Sequence, residues 1–208
     1  MSVARQRVLI FARVPRPGRV KTRLIDCLGE QGAAELYGRL LSRTLRVALE
    51  ADLAPVECLV DGDPDAPWFD PWRATPGLSF APQARGDLGE RMHVAFEDAF
   101  KRADRVVLIG SDCPVLEPAH LARAFEILEL GHRAVLGPAE DGGYVLIGLR
   151  APEPTLFEGI QWGGADVYAQ TVARLDALGR GWAALDPLWD VDRPQDVARL
   201  RALGGEWS

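Results

Sequence analysis

The sequence predicts an α/β protein: a mainly parallel, doubly wound sheet covered by helices on both faces. Two observations carry that prediction. Short apolar runs alternate along the chain with segments whose apolar residues recur at helical spacing. In addition, the run Val106–Ile109 passes directly into Gly110, Ser111, Asp112, Cys113 and Pro114. A carboxylate at the carboxyl end of a buried strand stands where open α/β sheets bind their ligands.

The elements follow in order. Arg7–Ala12 reads as a buried first strand, stopped by Pro15, Pro17 and Gly18. From Glu30 to Ala51, residues Ala33, Leu36, Tyr37, Leu40, Leu41 and Leu45 keep the spacing of an amphipathic helix. Val56–Val60 is the second strand. The Asp- and Pro-rich loop Asp61–Thr75 follows, whose Trp68, Phe69 and Trp72 are expected to form a flap or a partner surface. A short strand at Leu78–Ala81 leads to Gly86-Asp87-Leu88-Gly89-Glu90 and a helix to about Arg102. Arg105–Ile109 is the central strand, and Pro118 opens the next helix, a position that tolerates proline. Strands at Ala134–Gly137 and Tyr144–Leu149 flank Pro138–Gly143. A helix over about Ala165–Leu178, a strand at Trp182–Leu185 and a helix from Pro194 complete the chain. Alternation of this kind implies a largely parallel sheet.

Composition narrows the function. The 208 residues suit one domain spanning residues 1–208, and 48% hydrophobic residues supply a sizeable core. A net charge of −6 and the lack of a basic block speak against nucleic acid as a partner. Val8–Ala12 is too short for a signal sequence or a membrane span. Three scattered cysteines, with no CxxC pair, argue against a disulfide framework or structural zinc and for a cytoplasmic protein. A homodimer is left open.

Four constellations carry chemistry. Phe11–Leu24 (FARVPRPGRVKTRL) puts Arg13, Arg16, Arg19, Lys21 and Arg23 on one loop after the first strand, shaped by Gly18. Cations so placed suit a polyphosphate, with Thr22 and Ser111 as further nucleotide-binding candidates; the alternative is a solvated basic loop. Asp112 and Asp192, far apart in sequence and each near a strand end, suit Mg²⁺ or Mn²⁺, which takes one or two carboxylates plus substrate phosphate. Asp192 would serve equally as a helix N-cap, and Asp190 is the reserve ligand. Gly137–Gly148 (GPAEDGGYVLIG) offers Gly142, Gly143 and Tyr144 to an acceptor, with Asp141 or Glu140 as base; a tight hairpin turn is the other reading. Gly86–Arg91 places Asp87 at a helix start that could meet a nucleotide, and Trp162 is a candidate sugar platform.

Four stretches taken together, FARVPRPGRVKTRL, IGSDCP, GPAEDGGYVLIGL and DVDRPQDVARL, resemble a bacterial family of GT-A-fold glycosyltransferases, one branch of which is linked with arsenosugar biosynthesis. Lys21-Thr22-Arg23-Leu24 is similar to the phosphate-binding segment of phospholactate guanylyltransferase. Ser111–Pro114 resembles the metal-binding aspartate motif of molybdenum-cofactor guanylyltransferase, and Val191–Pro194 the late metal-binding segment of sugar-nucleotide synthetases. The chain departs from those patterns twice. Its first loop lacks Gly-x-Gly-Thr-Arg, and Ser111-Asp112 replaces Asp-x-Asp. The resemblance implies a metal-dependent glycosyltransferase that moves a sugar from a nucleoside-diphosphate sugar to a small-molecule acceptor, with Asp112 as its central catalytic residue. The alternatives are a nucleotidyltransferase releasing pyrophosphate and a non-catalytic nucleotide-binding subunit.

Overall fold

A computed structural model describes residues 5–179 and 181–207. Seven strands form one sheet: β1 (Gln6–Arg13), β2 (Val56–Asp61), β3 (Leu78–Pro82), β4 (Arg105–Ile109), β5 (Ala134–Pro138), β6 (Tyr144–Leu149) and β7 (Trp182–Ala184). Their order is β3-β2-β1-β4-β6-β5-β7, and β6 alone runs antiparallel to its neighbours. The helices are α1 (Ile25–Glu50), α2 (Leu88–Phe100), α3 (Pro118–Glu129), α4 (Val167–Ala177) and α5 (Pro194–Ala202). The expected doubly wound fold is the one observed.

Alternation along each central strand divides the core. Val8 and Ile10 of β1 join Val107 and Ile109 of β4 beneath α1 and α3. Leu9, Val106 and Leu108 point to the opposite face, against Met92 and Phe96 of α2 and Leu175 of α4. Two-sided burial explains why these strands read as unbroken apolar runs. Helix α1 starts earlier than its periodicity indicates, because a short helical lead-in joins it across Gly29, whose backbone is non-helical. A second apolar stripe on α1 (Ala33, Leu36, Leu40) packs against Trp189, Val191, Val197 and Leu200. That cluster draws the segment around Asp192 back over the first helix.

The Trp68/Phe69/Trp72 flap is corrected. Pro67–Trp72 folds as a 3-10 turn whose Phe69 is 0% exposed, edge-on to Trp68 at 5.1 Å and against Phe80 at 5.0 Å. Aromatic area of this size is stabilising only when removed from water, so the turn folds inward, with Phe69 in the core and Trp68 and Trp72 half-buried against it. Phe69→Ala should cost about 3–5 kcal/mol in urea unfolding, the range for emptying a buried aromatic site. No helix among the described residues is long and apolar enough to cross a membrane.

The connectivity places the site. After β1 the chain builds β2 and β3 on one side, then returns to add β4 on the other. The carboxyl ends of β1 and β4 therefore flank a topological switch point, where a crevice opens because their following loops diverge.

Candidate active site

The loop after β1 is held at both ends by buried side chains, Val14 and Val20, with Leu24 fully buried just beyond. Between these anchors its cations face outward. Lys21 takes a left-handed backbone conformation (φ 47°) at the start of the 3-10 turn Thr22–Leu24, and this turns its side chain inward. Its ammonium lies 2.7 Å from Asp112 Oδ2 and 3.9 Å from Asp192 Oδ1. Arg23 pairs with the other oxygen of Asp192. The Lys21 side chain is 5% exposed, whereas Asp112 and Asp192 remain 36% and 34% exposed, so both carboxylates also face the opening.

Main-chain bonds make this convergence possible. The Val191 amide donates to the Asp112 carbonyl at 3.1 Å, stitching the loop after β4 to the segment before α5. The capping alternative for Asp192 is not what the structure adopts. Arg193 is the N-cap of α5, and the carboxylate of Asp196 accepts the amides of Asp192 and Arg193 at 3.0 and 2.6 Å. Relieved of that task, the Asp192 side chain turns to the cations.

A cleft of about 490 Å³ opens over these groups. Arg13, Lys21, Thr22, Arg23, Ser111, Asp112 and Asp192, all singled out from sequence, line it. The polar lining residues outside that set are Tyr37, Asp61, Gln83 and Arg91. Asp61 ends β2 and pairs with Arg13 and with Arg91 at 3.3 Å each. The strand-end rule that identifies Asp112 applies equally to Asp61. Arg91 has no comparable signal, because a charged residue one turn into a helix is ordinary.

Several candidates lie elsewhere, each for a physical reason. Gly18 turns beside Glu30, outside the cleft lining. Asp87 caps α2, its carboxylate accepting the Glu90 amide at 2.9 Å in a reciprocal capping box. Trp162 packs with Phe157 around Gly89, and its indole nitrogen is buried. Tyr144 packs with the α2–α4 core, where burial pushes its phenol up, and its hydroxyl sits 4.0 Å from Met92 Sδ. Neither the proposed sugar platform Trp162 nor the acceptor candidate Tyr144 lines the cleft.

The glycine-rich loop is the tight hairpin. Asp141 accepts the Gly143 amide at 3.0 Å, and the Tyr168 amide donates to the Gly142 carbonyl at 2.8 Å. Gly142 has φ +91°, and a Cβ there would run into the carbonyl of Ala165. Close approach is therefore required, but by the chain's own backbone. Gly142→Ala should cost about 2–5 kcal/mol in chemical denaturation, combining left-handed strain with overpacking. Glu140 is held by Arg199 through two bonds of 2.6 and 2.9 Å, which lowers its pKa and makes it a poor base. Asp190 is pushed up to about 6, first by burial and then by the charges of Asp141 and Asp112, against the pull of Lys21.

The donor chemistry fits a divalent cation. Two aspartate carboxylates converge on a point where an ammonium already rests, and Mg²⁺ or Mn²⁺ takes this many protein ligands when phosphate oxygens and water complete its shell. Among the described residues no group of three metal-ligating side chains exists.

Comparisons with known proteins agree with this architecture. Residues 44–164 match a family described as "Uncharacterized protein conserved in bacteria (DUF2064)". A protein from Desulfovibrio desulfuricans G20, provisionally described as a nucleotide-diphospho-sugar transferase, superposes with a TM-score of 0.87 at 36% identity, covering 98% of this chain and 90% of its own. The manganese complex of Rv0371c from Mycobacterium tuberculosis H37Rv shares the fold, with a TM-score of 0.56 at 22% identity over 94% and 97% of the two chains. In sequence, phosphoenolpyruvate guanylyltransferase from Rubrobacter xylanophilus is 31% identical over 124 residues, 56% of this chain and 60% of that relative's length.

Proposed function

The chain belongs to the DUF2064 family, and from the chemistry of its cleft and its likeness to the Desulfovibrio protein described as a nucleotide-diphospho-sugar transferase we propose a nucleotide-sugar-dependent glycosyltransferase acting on a small-molecule hydroxyl acceptor. The observation that carries this reading is the convergence of Asp112 and Asp192 on Lys21 at the switch point, inside a cleft also lined by Arg13, Arg23 and Arg91. Four cations (Arg13, Lys21, Arg23 and Arg91) outnumber the three lining carboxylates (Asp61, Asp112 and Asp192), a balance that suits a diphosphate accompanied by a cation.

In this mechanism the donor diphosphate lies against the Thr22 hydroxyl and against Lys21, Arg23 and Arg13, whose charges are fixed before the reaction and act where negative charge develops. Asp112 and Asp192 would hold Mg²⁺ or Mn²⁺, which supplies charge neutralisation to the departing diphosphate. The acceptor oxygen forms its bond to the anomeric carbon as the carbon–oxygen bond to the diphosphate breaks, and the electron pair leaves with the nucleoside diphosphate. The hydroxyl proton passes to a carboxylate, the role assigned to Asp141, whose charge acts together with that of Asp112 on Asp190. That acidity also bears on the acceptor class. A neutral hydroxyl approaches Asp112, Asp141 and Asp190 without penalty, whereas an anionic acceptor meets repulsion there.

Nucleotidyl transfer is the second reading, favoured by the guanylyltransferase relative. The two differ in product. Incubation with a panel of nucleotide sugars and nucleoside triphosphates, with Mn²⁺ and mixed polyol acceptors, should release nucleoside diphosphate from a nucleotide sugar. Pyrophosphate from a triphosphate, with nucleotide sugars left intact, would replace the first reading by the second.

A further inference from the structure

We propose that Tyr37 is a positioning residue for Asp112, acting through Ser111, and that it joins the cationic loop to the metal-binding carboxylate. The inference rests on the metal-dependent reading of the cleft and extends it to a residue that reaches Asp112 only through Ser111.

Tyr37 projects from α1 and is 3% exposed. Its hydroxyl accepts the Arg13 amide at 2.8 Å and lies 2.9 Å from Ser111 Oγ. Ser111, itself buried, places that Oγ 3.5 Å from Asp112 Oδ1. Chemistry orients the chain. A main-chain amide only donates, so it occupies an acceptor position of the phenol oxygen. An ionised carboxylate only accepts, so the serine proton faces Asp112, and the phenol proton is left for the serine oxygen. The two oxygens of Asp112 thereby become distinct: Oδ1 faces Ser111, and Oδ2 takes the ammonium of Lys21. Burial and the nearby Asp112 charge hold the phenol in its neutral, donating form.

A purely structural tyrosine would serve packing alone, and phenylalanine would replace it without functional loss. Outer partners that orient a metal-binding carboxylate are instead worth about 10–100-fold in metal affinity or activity. The test is Mn²⁺ binding to the full chain in the presence of GDP or UDP, followed by the free-Mn²⁺ electron paramagnetic resonance signal. Donor kinetics are measured alongside.

Tyr37→Phe should weaken Mn²⁺ binding by about 10–100-fold and lower kcat correspondingly, with the donor KM changed only a few-fold. Ser111→Ala should do the same, and the double variant should lose no more than either single one, as expected for members of one chain. A fall in melting temperature with Mn²⁺ affinity and kcat unchanged would overturn the proposal. Asp112→Asn separates the two readings. Retained Mn²⁺ binding in that variant overturns both, whereas its loss there, with Tyr37→Phe unaffected, overturns only the role of Tyr37.

Discussion

Asp112→Asn should lower turnover by about 1,000-fold while leaving nucleotide binding within a few-fold, because the charge it removes acts on the reacting diphosphate and its counter-cation. The replacement has the same shape, so packing is preserved. What changes is the 2.7 Å ion pair with Lys21 and the negative charge facing the cleft. Donor affinity depends mainly on Arg13, Lys21, Thr22 and Arg23, which the substitution leaves in place. Product release measured beside a thermal-shift titration with nucleoside diphosphate separates the two effects. Turnover within a few-fold of wild type would remove Asp112 from the mechanism.

Lys21→Met should reduce activity by about 100- to 1,000-fold, the cost of deleting one preorganised charge from a closed electrostatic site. Methionine retains most of the buried stem, so the loss is one of charge. It also leaves Asp112 and Asp192 facing one another with no ammonium between them. A fully buried broken pair costs about 3–5 kcal/mol, but both carboxylates are about a third exposed, and water reduces the penalty to about 1–2 kcal/mol. Added Mn²⁺ should therefore raise the melting temperature of the variant more than that of the wild type, since a cation that binds only the folded state stabilises it by mass action. Equal shifts in the two proteins would mean that Lys21 does not occupy the cation position.

The part of the site carried by strand ends was legible in the sequence. Arg13, Lys21, Arg23 and Asp112 follow β1 and β4 and line one cleft, whereas Asp192, expected near a strand end, lies well beyond β7 and reaches the cleft because its segment packs on α1. Tyr37 and Arg91 were not legible as site residues. Both sit within amphipathic helices, where a buried aromatic or a surface arginine satisfies the helical pattern by itself. Their role depends on which elements the fold brings alongside, a tertiary fact. The glycine-rich segment left two readings open for a related reason. Gly142 requires close backbone approach, but a local pattern does not distinguish a ligand from the start of α4. Trp68, Phe69 and Trp72 read as a flap because Pro and Asp surround them, although their apolar area outweighs that polarity and carries the turn into the core.

The link between Val191 and Asp112 is made by an amide and a carbonyl, while the fully buried Val191 side chain seats the same segment on the first helix. The spacing of the two acidic groups is thus set by the polypeptide scaffold and is independent of what borders the crevice. Substitutions along the rim could retune the protein toward a different nucleoside or a bulkier recipient while its charge-holding centre stays in register.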